Sequence, residues 1–257
     1  MPLPTLVIAG AQKCGTSTLH GLLRDHPQVF MSRPKEVHFF DRHWTRGLDW
    51  YSSQFTPARA HVHAGESTPL YTYDAEARQR MTETLPRASI IVVLRDPTKR
   101  AYSHYWHSRR LGFETAPSFE AALDLETDRL ASGERSTRSR YSYVDRGHYI
   151  EQLLELEKAY GPDQLHVVLL EDLIMDQRPC LERLFAFLGI STEPAHTIAP
   201  QWKNRYRVSV GESKAKKPAE YPPMAPKTRT RLVEHFRLDN DRLSAWLGRD
   251  LSEWDKP

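Results

Sequence analysis

Two hydrophobic patterns alternate along the chain. Short, uninterrupted runs rich in Leu, Ile and Val predict strands buried on both faces at 5–9, 89–94 and 165–170. Strands of this kind are typical of parallel sheets that are covered by helices. Segments with apolar residues at helical spacing or with helix-starting signals predict the helices between them, at 16–25, 96–109, 151–160 and 179–188.

Residues that start and stop helices support these boundaries. Asp96 can cap a helix and Pro97 can occupy its first position, which leaves Arg95 at the carboxyl end of a strand. Gly161 and Gly189 follow two of the helices as stop signals. We therefore predict an α/β fold in which residues 1–257 form a single three-layer α/β/α domain around a central parallel sheet, with ligands at the strand carboxyl ends.

Two stretches are less regular, 132–146 and 201–226. The first is rich in Ser, Arg and Tyr, and the second in Lys and Pro. Each is a candidate lid over a site, and a mobile surface loop is the alternative for both.

A glycine loop with a displaced lysine joins the first strand to the first helix. Gly10 and Gly15 have the spacing of a phosphate-binding loop, but lysine stands at position 13 and Thr16 follows the second glycine. Nucleotide triphosphatases place lysine directly after that glycine, where it reaches the β- and γ-phosphates. A lysine at the loop crest suits a shorter anion that rests on the loop and the helix N-terminus.

A magnesium ligand is also missing from the expected positions. A Walker-B aspartate would follow one of the predicted strands at 89–94 and 165–170. Asp96, after the first of these, is better used as a helix cap, and Asp172, after the second, follows Glu171 in a predicted loop. Neither strand therefore supplies the aspartate. A sulfuryl group explains both departures, because it carries less negative charge than a phosphoryl group and can be stabilised by lysine and amides without magnesium. A solvated Lys13 in an ordinary connecting loop is the structural alternative.

Three blocks of the sequence resemble the signatures of sulfotransferases that use 3′-phosphoadenosine 5′-phosphosulfate (PAPS). The blocks are AGAQKCGTSTLHGLLRDHPQV, KEVHFFD and VVLRDPTKRAYSHY. Within that superfamily the chain is most similar to the heparan sulfate 3-O- and N-sulfotransferase branch and its bacterial relatives. The resemblance implies a PAPS site whose product is adenosine 3′,5′-bisphosphate (PAP), with Lys13 on the leaving phosphate and Arg95 and Ser103 on the 3′-phosphate. The loop residues implied to hold the 5′-phosphosulfate are Lys13, Cys14, Gly15, Thr16, Ser17 and Thr18.

The second block contains the candidate general base. Glu36 and His38 stand among apolar residues, and burial can raise the pKa of a carboxyl toward neutrality, which suits proton abstraction from an acceptor hydroxyl. The resemblance likewise implies that Glu36 is the base and that His38 and Asp41 position it. A strand edge with a salt bridge between Lys35 and Glu36 is the alternative.

Two features depart from the family pattern. A family lysine that follows the glutamate in the block GESTPLY is replaced by Ser67, so we expect Lys35 or Arg33 to serve instead or the acceptor to be less anionic. The basic segment 201–226, with Lys203 and Arg205, resembles the loop that closes over the nucleotide but lacks its cysteine pair.

Composition limits the remaining possibilities. A net charge of +3 and only two cysteines, without a leader-like or membrane-spanning run, lead us to expect a cytoplasmic protein without disulfides. We expect no metal, because the histidines form only isolated pairs, and no nucleic-acid partner. The expected acceptor is a sugar, a glycolipid or a natural product, with contacts sought at 42–55 and 132–146, and oligomeric state stays open.

Two other functions stay open at this point. A P-loop kinase or other nucleotide triphosphatase would bind ATP with magnesium and show no preference for a 3′-phosphate. A non-catalytic protein that binds RNA or another polyanion would use the basic segment 203–217 and keep the loop as a scaffold.

Overall fold

The computed structural model describes residues 3–56, 61–200, 207–209, 216–218 and 222–256, the two short ranges as backbone strands. The chain divides into two compact units. The first comprises Met1–Arg95 and Tyr149–Gln201, and the second comprises Asp96–His148 and Trp202–Pro257. The single domain expected over 1–257 stays a prediction.

A five-stranded parallel sheet forms the centre of the first unit. Its strands lie in the order β2-β3-β1-β4-β5, and every neighbouring pair is parallel. This arrangement confirms the predicted central parallel sheet. The strands are β1 (Leu6–Gly10), β2 (Val29–Met31), β3 (His63–Glu66), β4 (Ser89–Leu94) and β5 (Leu165–Leu169).

The three predicted strands are confirmed to within one residue at each end, whereas β2 and β3 were not predicted. All residues of β1 are buried, as its continuous apolar run requires. The two remaining strands have three and four residues, and β3 contains Gly65 and Glu66, so neither carries a hydrophobic pattern that reveals it.

Twelve helices are described in the two units together. Those of the first unit flank the sheet and are α1 to α4 and α9 to α11; the others belong to the second unit. In chain order the helices are α1 (Thr16–Arg24), α2 (Phe39–Arg42), α3 (Gly47–Ser53), α4 (Ala75–Thr84), α5 (Pro97–Arg110), α6 (Phe119–Asp124), α7 (Glu126–Leu130), α8 (Arg135–Tyr141), α9 (Tyr149–Tyr160), α10 (Leu170–Met175), α11 (Gln177–Phe187) and α12 (Pro226–Leu247).

The predicted helix signals act as expected. The Asp96 carboxylate accepts hydrogen bonds from the N–H groups of Thr98 and Lys99, at 2.8 and 3.1 Å, and Pro97 is the first residue of α5. Gly161 and Gly189 follow α9 and α11 with φ of 77° and 65°, a conformation that glycine adopts without steric cost. One expectation was wrong: Asp172 lies in α10 and not in a loop.

The second unit packs helices around an aromatic core. Phe236 of α12 is fully buried with Phe119, Tyr105 and Tyr143. The 22 residues of α12 were not predicted, because the segment is strongly charged. The irregular character expected for 132–146 was wrong in part: it contains α8 and a 3₁₀ turn at Asp145–Gly147.

Little of the basic segment 201–226 is described. Strands β6 (Arg207–Ser209) and β7 (Lys216–Pro218) pair antiparallel. The candidate nucleotide contacts Lys203 and Arg205 lie outside the described residues. Among the helices of the described ranges, none is long and apolar enough to cross a membrane.

Candidate functional site

The loop between β1 and α1 has the geometry of an anion cradle. Gly15 precedes α1 with φ 97°, and Lys13 at the loop crest also has a positive φ of 71°. A methyl group on Gly15 would lie 2.6 Å from the terminal Cδ1 of Leu170, a side chain that can move aside, so the position favours glycine mainly for its positive φ. The Thr18 and Leu19 N–H groups donate to the Gly15 carbonyl at the start of α1, at 2.9 and 3.1 Å, and the positive end of the helix dipole at this position favours a bound anion. This loop therefore fits a phosphate or sulfate group.

Arg95 lies beside the loop at the end of β4. Its guanidinium donates to the Lys13 carbonyl at 3.5 Å, a long contact. The Tyr149 hydroxyl donates to the Arg95 carbonyl at 2.9 Å and lies 3.6 Å from Cys14 Sγ. The structure thus brings together Arg95 and the loop residues that the sequence singled out.

Glu36, His38 and Asp41 form a chain of ion pairs. His38 Nε2 lies 3.2 Å from a Glu36 carboxylate oxygen, and His38 Nδ1 lies 2.8 Å from an Asp41 oxygen. The Lys35 ammonium lies 2.9 Å from the other Glu36 oxygen. The pairing of His38 with both carboxylates agrees with the positioning role implied by the sequence, and the alternative salt bridge between Lys35 and Glu36 is also present.

The expected raised pKa of Glu36 is wrong. Burial acts to raise it, but the hydrogen bond from His38 and the charge and hydrogen bond of Lys35 outweigh burial and lower the pKa of Glu36 to about 2. Burial likewise acts to lower the pKa of His38, and the hydrogen bonds to Asp41 and Glu36 instead raise it to about 9. At neutral pH the cluster therefore contains an ionised Glu36 and a protonated His38, which donates from both ring nitrogens.

Lys35 connects the acidic cluster to the loop. Its ammonium, besides pairing with Glu36, donates to the Thr16 hydroxyl at 3.3 Å. Thr16 is the first residue of α1. Lys35 therefore bridges the Glu36 carboxylate and the anion cradle. Arg33, the other cation considered in place of the family lysine, is exposed, and Ser67 is fully buried.

A second carboxyl, which sequence reasoning missed, lies beneath this cluster. Glu66 at the end of β3 is fully buried and accepts hydrogen bonds from the hydroxyls of Tyr51 and Thr68, at 2.6 and 2.5 Å, and of Tyr71, at 3.2 Å. Burial raises the pKa of Glu66 to about 7, although these hydrogen bonds oppose the shift. The block GESTPLY contains Glu66 and was the sequence signal available for this site, but the block alone does not show which hydroxyl groups bond to Glu66.

Ser103, expected to bind the 3′-phosphate together with Arg95, is buried on α5 in the second unit. Its contact with that phosphate stays a prediction. In the segment 42–55, where acceptor contacts were sought, Tyr51 is fully buried and bonded to Glu66, whereas Trp44 and Trp50 are half-buried. In the described ranges no group of three or more His, Cys, Asp or Glu side chains is arranged to hold a metal ion. Neither Cys14 nor Cys180 forms a disulfide.

Comparison with known proteins identifies the family. The model of the sulfotransferase domain matches residues 3–237 of this chain. The chain belongs to the sulfotransferase family. The cradle, Arg95 and the Glu36 cluster all lie inside the matched range.

Other sulfotransferases resemble the chain along its whole length. A bifunctional heparan sulfate N-deacetylase/N-sulfotransferase 4 of Mus musculus is 29% identical over 98% of this chain, which corresponds to 31% of that protein. The chain thus spans about a third of the length of such curated relatives. A crystal structure of a sulfotransferase from Alicyclobacillus acidocaldarius is 30% identical, covers 100% of both chains and has a TM-score of 0.81.

A more distant sulfotransferase shares the fold. A crystal structure of mouse sulfotransferase SULT7A1, complexed with PAP, is 16% identical over 76% of this chain and 63% of its own, with a TM-score of 0.53. These likenesses confirm the α/β fold with a phosphate-binding loop that the sequence predicted.

Proposed function

We propose that this sulfotransferase moves a sulfuryl group from PAPS to a hydroxyl or an amine, with Glu36 as the general base and Lys13 beside the leaving phosphate. Family membership and the PAP complex of a structural neighbour support the choice of donor. The proposed donor contacts are the loop residues 13–18, Arg95 and Ser103, with Lys203 and Arg205 retained from the sequence. A cytoplasmic location is part of the proposal.

The observation that carries the proposal is the bridge formed by Lys35. One ammonium group contacts both Thr16 at the cradle and the Glu36 carboxylate, so an anion in the cradle and the base share a cation. Thr16 begins α1, whereas Glu36 lies in the loop between β2 and α2, and only the fold brings these two side chains to the same lysine. A proton acceptor beside the sulfuryl-binding loop is the arrangement that transfer to an acceptor group requires.

PAPS, when bound, supplies an activated sulfuryl group and a phosphate leaving group. Lys13 and the N–H groups at the start of α1 are preorganised to stabilise negative charge on the leaving oxygen, a contribution of several kcal/mol in comparable sites. Such stabilisation requires no metal ion.

The basicity of Glu36 depends on Lys35. With His38 and Lys35 both paired to it, the pKa of Glu36 is about 2, and the carboxylate is a weak base. Lys35 already contacts the loop, so an anion there competes with Glu36 for the ammonium and raises the pKa of Glu36 toward its ordinary value. Donor binding thereby prepares the base. His38, held by Asp41, keeps the carboxylate oriented throughout.

The proposed acceptor is an amine or hydroxyl of a carbohydrate. Relatives whose names specify N-sulfotransferase activity on heparan sulfate support this class. The half-buried indoles of Trp44 and Trp50, with Arg46 4.2 Å above the Trp50 ring, are aromatic surfaces of the kind that pack against sugars and also against phenols or glycolipids. The acceptor screen therefore includes de-N-sulfated heparan sulfate, a simple glycolipid and 4-nitrophenol.

The donor half of the proposal is tested by thermal denaturation with PAP alone and, in parallel, with ATP and magnesium. A ligand at a hundred times its Kd stabilises a protein by ~2.7 kcal/mol, which raises the Tm of a chain of this size by several degrees. We expect PAP to raise the Tm without magnesium and Arg95→Ala to weaken this effect, with the exposed Arg110→Ala as the matched control. A rise only with ATP and magnesium would contradict the proposal and favour a triphosphatase.

The transfer half is tested with ³⁵S-labelled PAPS and the three acceptors. Labelled product that depends on Glu36 is expected for at least one of them. If PAP binds but transfer in Glu36→Gln equals that of the wild-type protein, Glu36 is not the base. If deleting 203–217 abolishes binding of a polyanion such as RNA while Glu36→Gln has no effect on that function, the non-catalytic alternative replaces the enzyme.

A further inference from the structure

The backbone of the Glu36 segment is anchored to one short stretch after β3. Three successive N–H groups, of Val37, His38 and Phe39, donate to the side chains of Glu66, Thr68 and Tyr71 at 3.3, 3.3 and 2.9 Å. In the opposite direction, the Ser67 N–H donates to the Lys35 carbonyl at 3.1 Å. Four hydrogen bonds therefore join residues 35–39 to residues 66–71.

This anchoring acts where the backbone is conformationally demanding. His38 has φ 54° and ψ 33°, in the left-handed region that non-glycine residues rarely occupy. A residue stays in such a conformation only when its surroundings impose it. The hydrogen bonds from residues 66–71 hold the N–H group of His38 and those of its two neighbours, Val37 and Phe39. These bonds therefore fix the turn that directs the His38 side chain toward Glu36 and Asp41.

Glu66 sets the direction of the anchoring hydroxyls. The hydroxyl groups of Thr68 and Tyr71 each have one proton, and both donate it to the Glu66 carboxylate. Their oxygen lone pairs therefore face the N–H groups of His38 and Phe39 and can accept. Without a carboxylate at this position, either hydroxyl is able to rotate and to present its proton to the N–H group, which would break the anchor.

We propose that Glu66, Thr68 and Tyr71 are positioning residues, which set the orientation of Glu36 and His38 by fixing the N–H groups of residues 37–39. The proposal rests on the proposed function only for its kinetic consequence. The geometric consequence, the pairing of His38 with both carboxylates, is measurable without an acceptor.

A matched pair of phenol deletions tests the proposal. Tyr71→Phe removes a hydroxyl that bonds both Glu66 and the Phe39 N–H, whereas Tyr51→Phe removes one that bonds Glu66 but donates to no part of segment 35–39. Both phenols are buried, and both replacements keep the ring. We expect Tyr71→Phe to lower kcat about tenfold with PAP affinity unchanged, and Tyr51→Phe to keep kcat within about twofold, while both variants lose Tm.

NMR of ring-labelled histidine provides a readout that does not require turnover. The His38 signal is assigned by its loss in His38→Asn. We expect His38 to titrate near pH 9 in the wild-type protein and in Tyr51→Phe, and at lower pH in Tyr71→Phe, because a looser turn weakens its pairing with Glu36 and Asp41. If Tyr71→Phe does not fold, Thr68→Val replaces it, and Thr68→Ser, which restores the hydroxyl, is expected to recover the wild-type titration.

The outcomes separate the two proposals. Equal effects of Tyr71→Phe and Tyr51→Phe on kcat and on the His38 titration would overturn the positioning role and leave the transfer reaction standing. Absence of transfer by the wild-type protein to every acceptor, with the expected His38 titrations, would leave the positioning of the cluster standing and remove the proposed function. An unchanged His38 titration in Tyr71→Phe would also overturn the positioning role.

Discussion

Glu36 and Glu66 are two carboxyls of the same unit with opposite electrostatic properties. The Glu36 side chain is 41% exposed and has a pKa of about 2, whereas Glu66 is fully buried and has a pKa of about 7. Glu36 pairs with the cations Lys35 and His38. Glu66 receives its hydrogen bonds from neutral hydroxyls and an N–H group.

The contrast shows that apolar neighbours alone do not determine a carboxyl pKa. Burial raises the pKa of both groups, and hydrogen bonds lower both, but only Glu36 has cations in contact to reverse the effect of burial. The carboxyl beside the donor loop is therefore the ionised one. The carboxyl that anchors the segment is the one whose charge changes near neutral pH.

The largest expected effect separates the two carboxyls by their role in turnover. Glu36→Gln should lower kcat by ~10² or more with PAP affinity nearly unchanged, since general-base contributions are of that size. Glu66→Gln should lower kcat by about tenfold, as expected for Tyr71→Phe, because an amide NH₂ replaces one acceptor oxygen of the anchor while the glutamine oxygen can still accept from the Val37 N–H. Steady-state kinetics and PAP titrations check this pair, and similar losses of kcat in both variants would contradict the assignment.

Stability against pH provides the next contrast. Folded Glu66 keeps its proton between about pH 4.5 and 7, where the unfolded chain releases it, so its contribution to the free energy of unfolding is present below pH 4.5 and is lost as the pH rises through 7. The full change is at most about 3 kcal/mol. We expect urea unfolding at pH 5 and pH 8 to show a larger decline in the wild-type protein than in Glu66→Gln, in which the raised pKa of His38 still causes a decline above pH 6.5. Parallel changes in the two proteins would refute it.

Removing Lys35, the cation that contacts both Glu36 and the cradle, should raise the pKa of Glu36 toward that of Glu66. Besides the hydrogen bond from His38, the charge of Lys35 holds the pKa of Glu36 down. Lys35→Met removes that charge, so the pKa should rise, and the acid limb of kcat/KM should move to higher pH by on the order of one unit. Arg33→Met, which removes an exposed cation two residues away, is the matched control and should leave the limb in place. A limb unmoved by Lys35→Met would show that Lys35 does not control Glu36.

The smallest effect concerns the histidine between the acids. Asp41 raises the pKa of His38, so Asp41→Asn should move the His38 titration downward from about 9. Arg42 lowers the same pKa, and Arg42→Gln should therefore move the titration in the opposite direction. Histidine NMR measures both. Shifts of the same sign would mean that the acid–histidine pairs do not set this titration.

Local sequence signals predicted elements of both units. The run at 89–94 is β4 without a change of boundary, because a continuous Ile and Val run fits a doubly covered strand and little else. Asp96 and Pro97 start α5 by local chemistry, and Gly15 lies in the left-handed conformation that a strand–loop–helix turn needs. These features depend on residues close in sequence, which explains why they were predictable.

The expected environment of Glu36 was only half right. The sequence indicated apolar neighbours, and Val37, Phe39 and Phe40 are indeed buried. Burial alone predicts a raised pKa, but the pKa of Glu36 depends on the directions in which Lys35 and His38 point, and His38 is held by Asp41. Those directions follow from the turn at His38, which is fixed by side chains about thirty residues further along the chain.

The cradle, the order of its glycines, lysine and hydroxyls, and the strand and helix that carry it are local properties and are therefore predictable from the sequence. Which carboxyl is charged, and which is buried with a raised pKa, depends on contacts between distant segments. The sheet order β2-β3-β1 places the segment after β2 beside that after β3 and the donor loop after β1. Ion pairs and hydrogen bonds between segments act over a few ångströms of space, and a single sequence does not contain those distances.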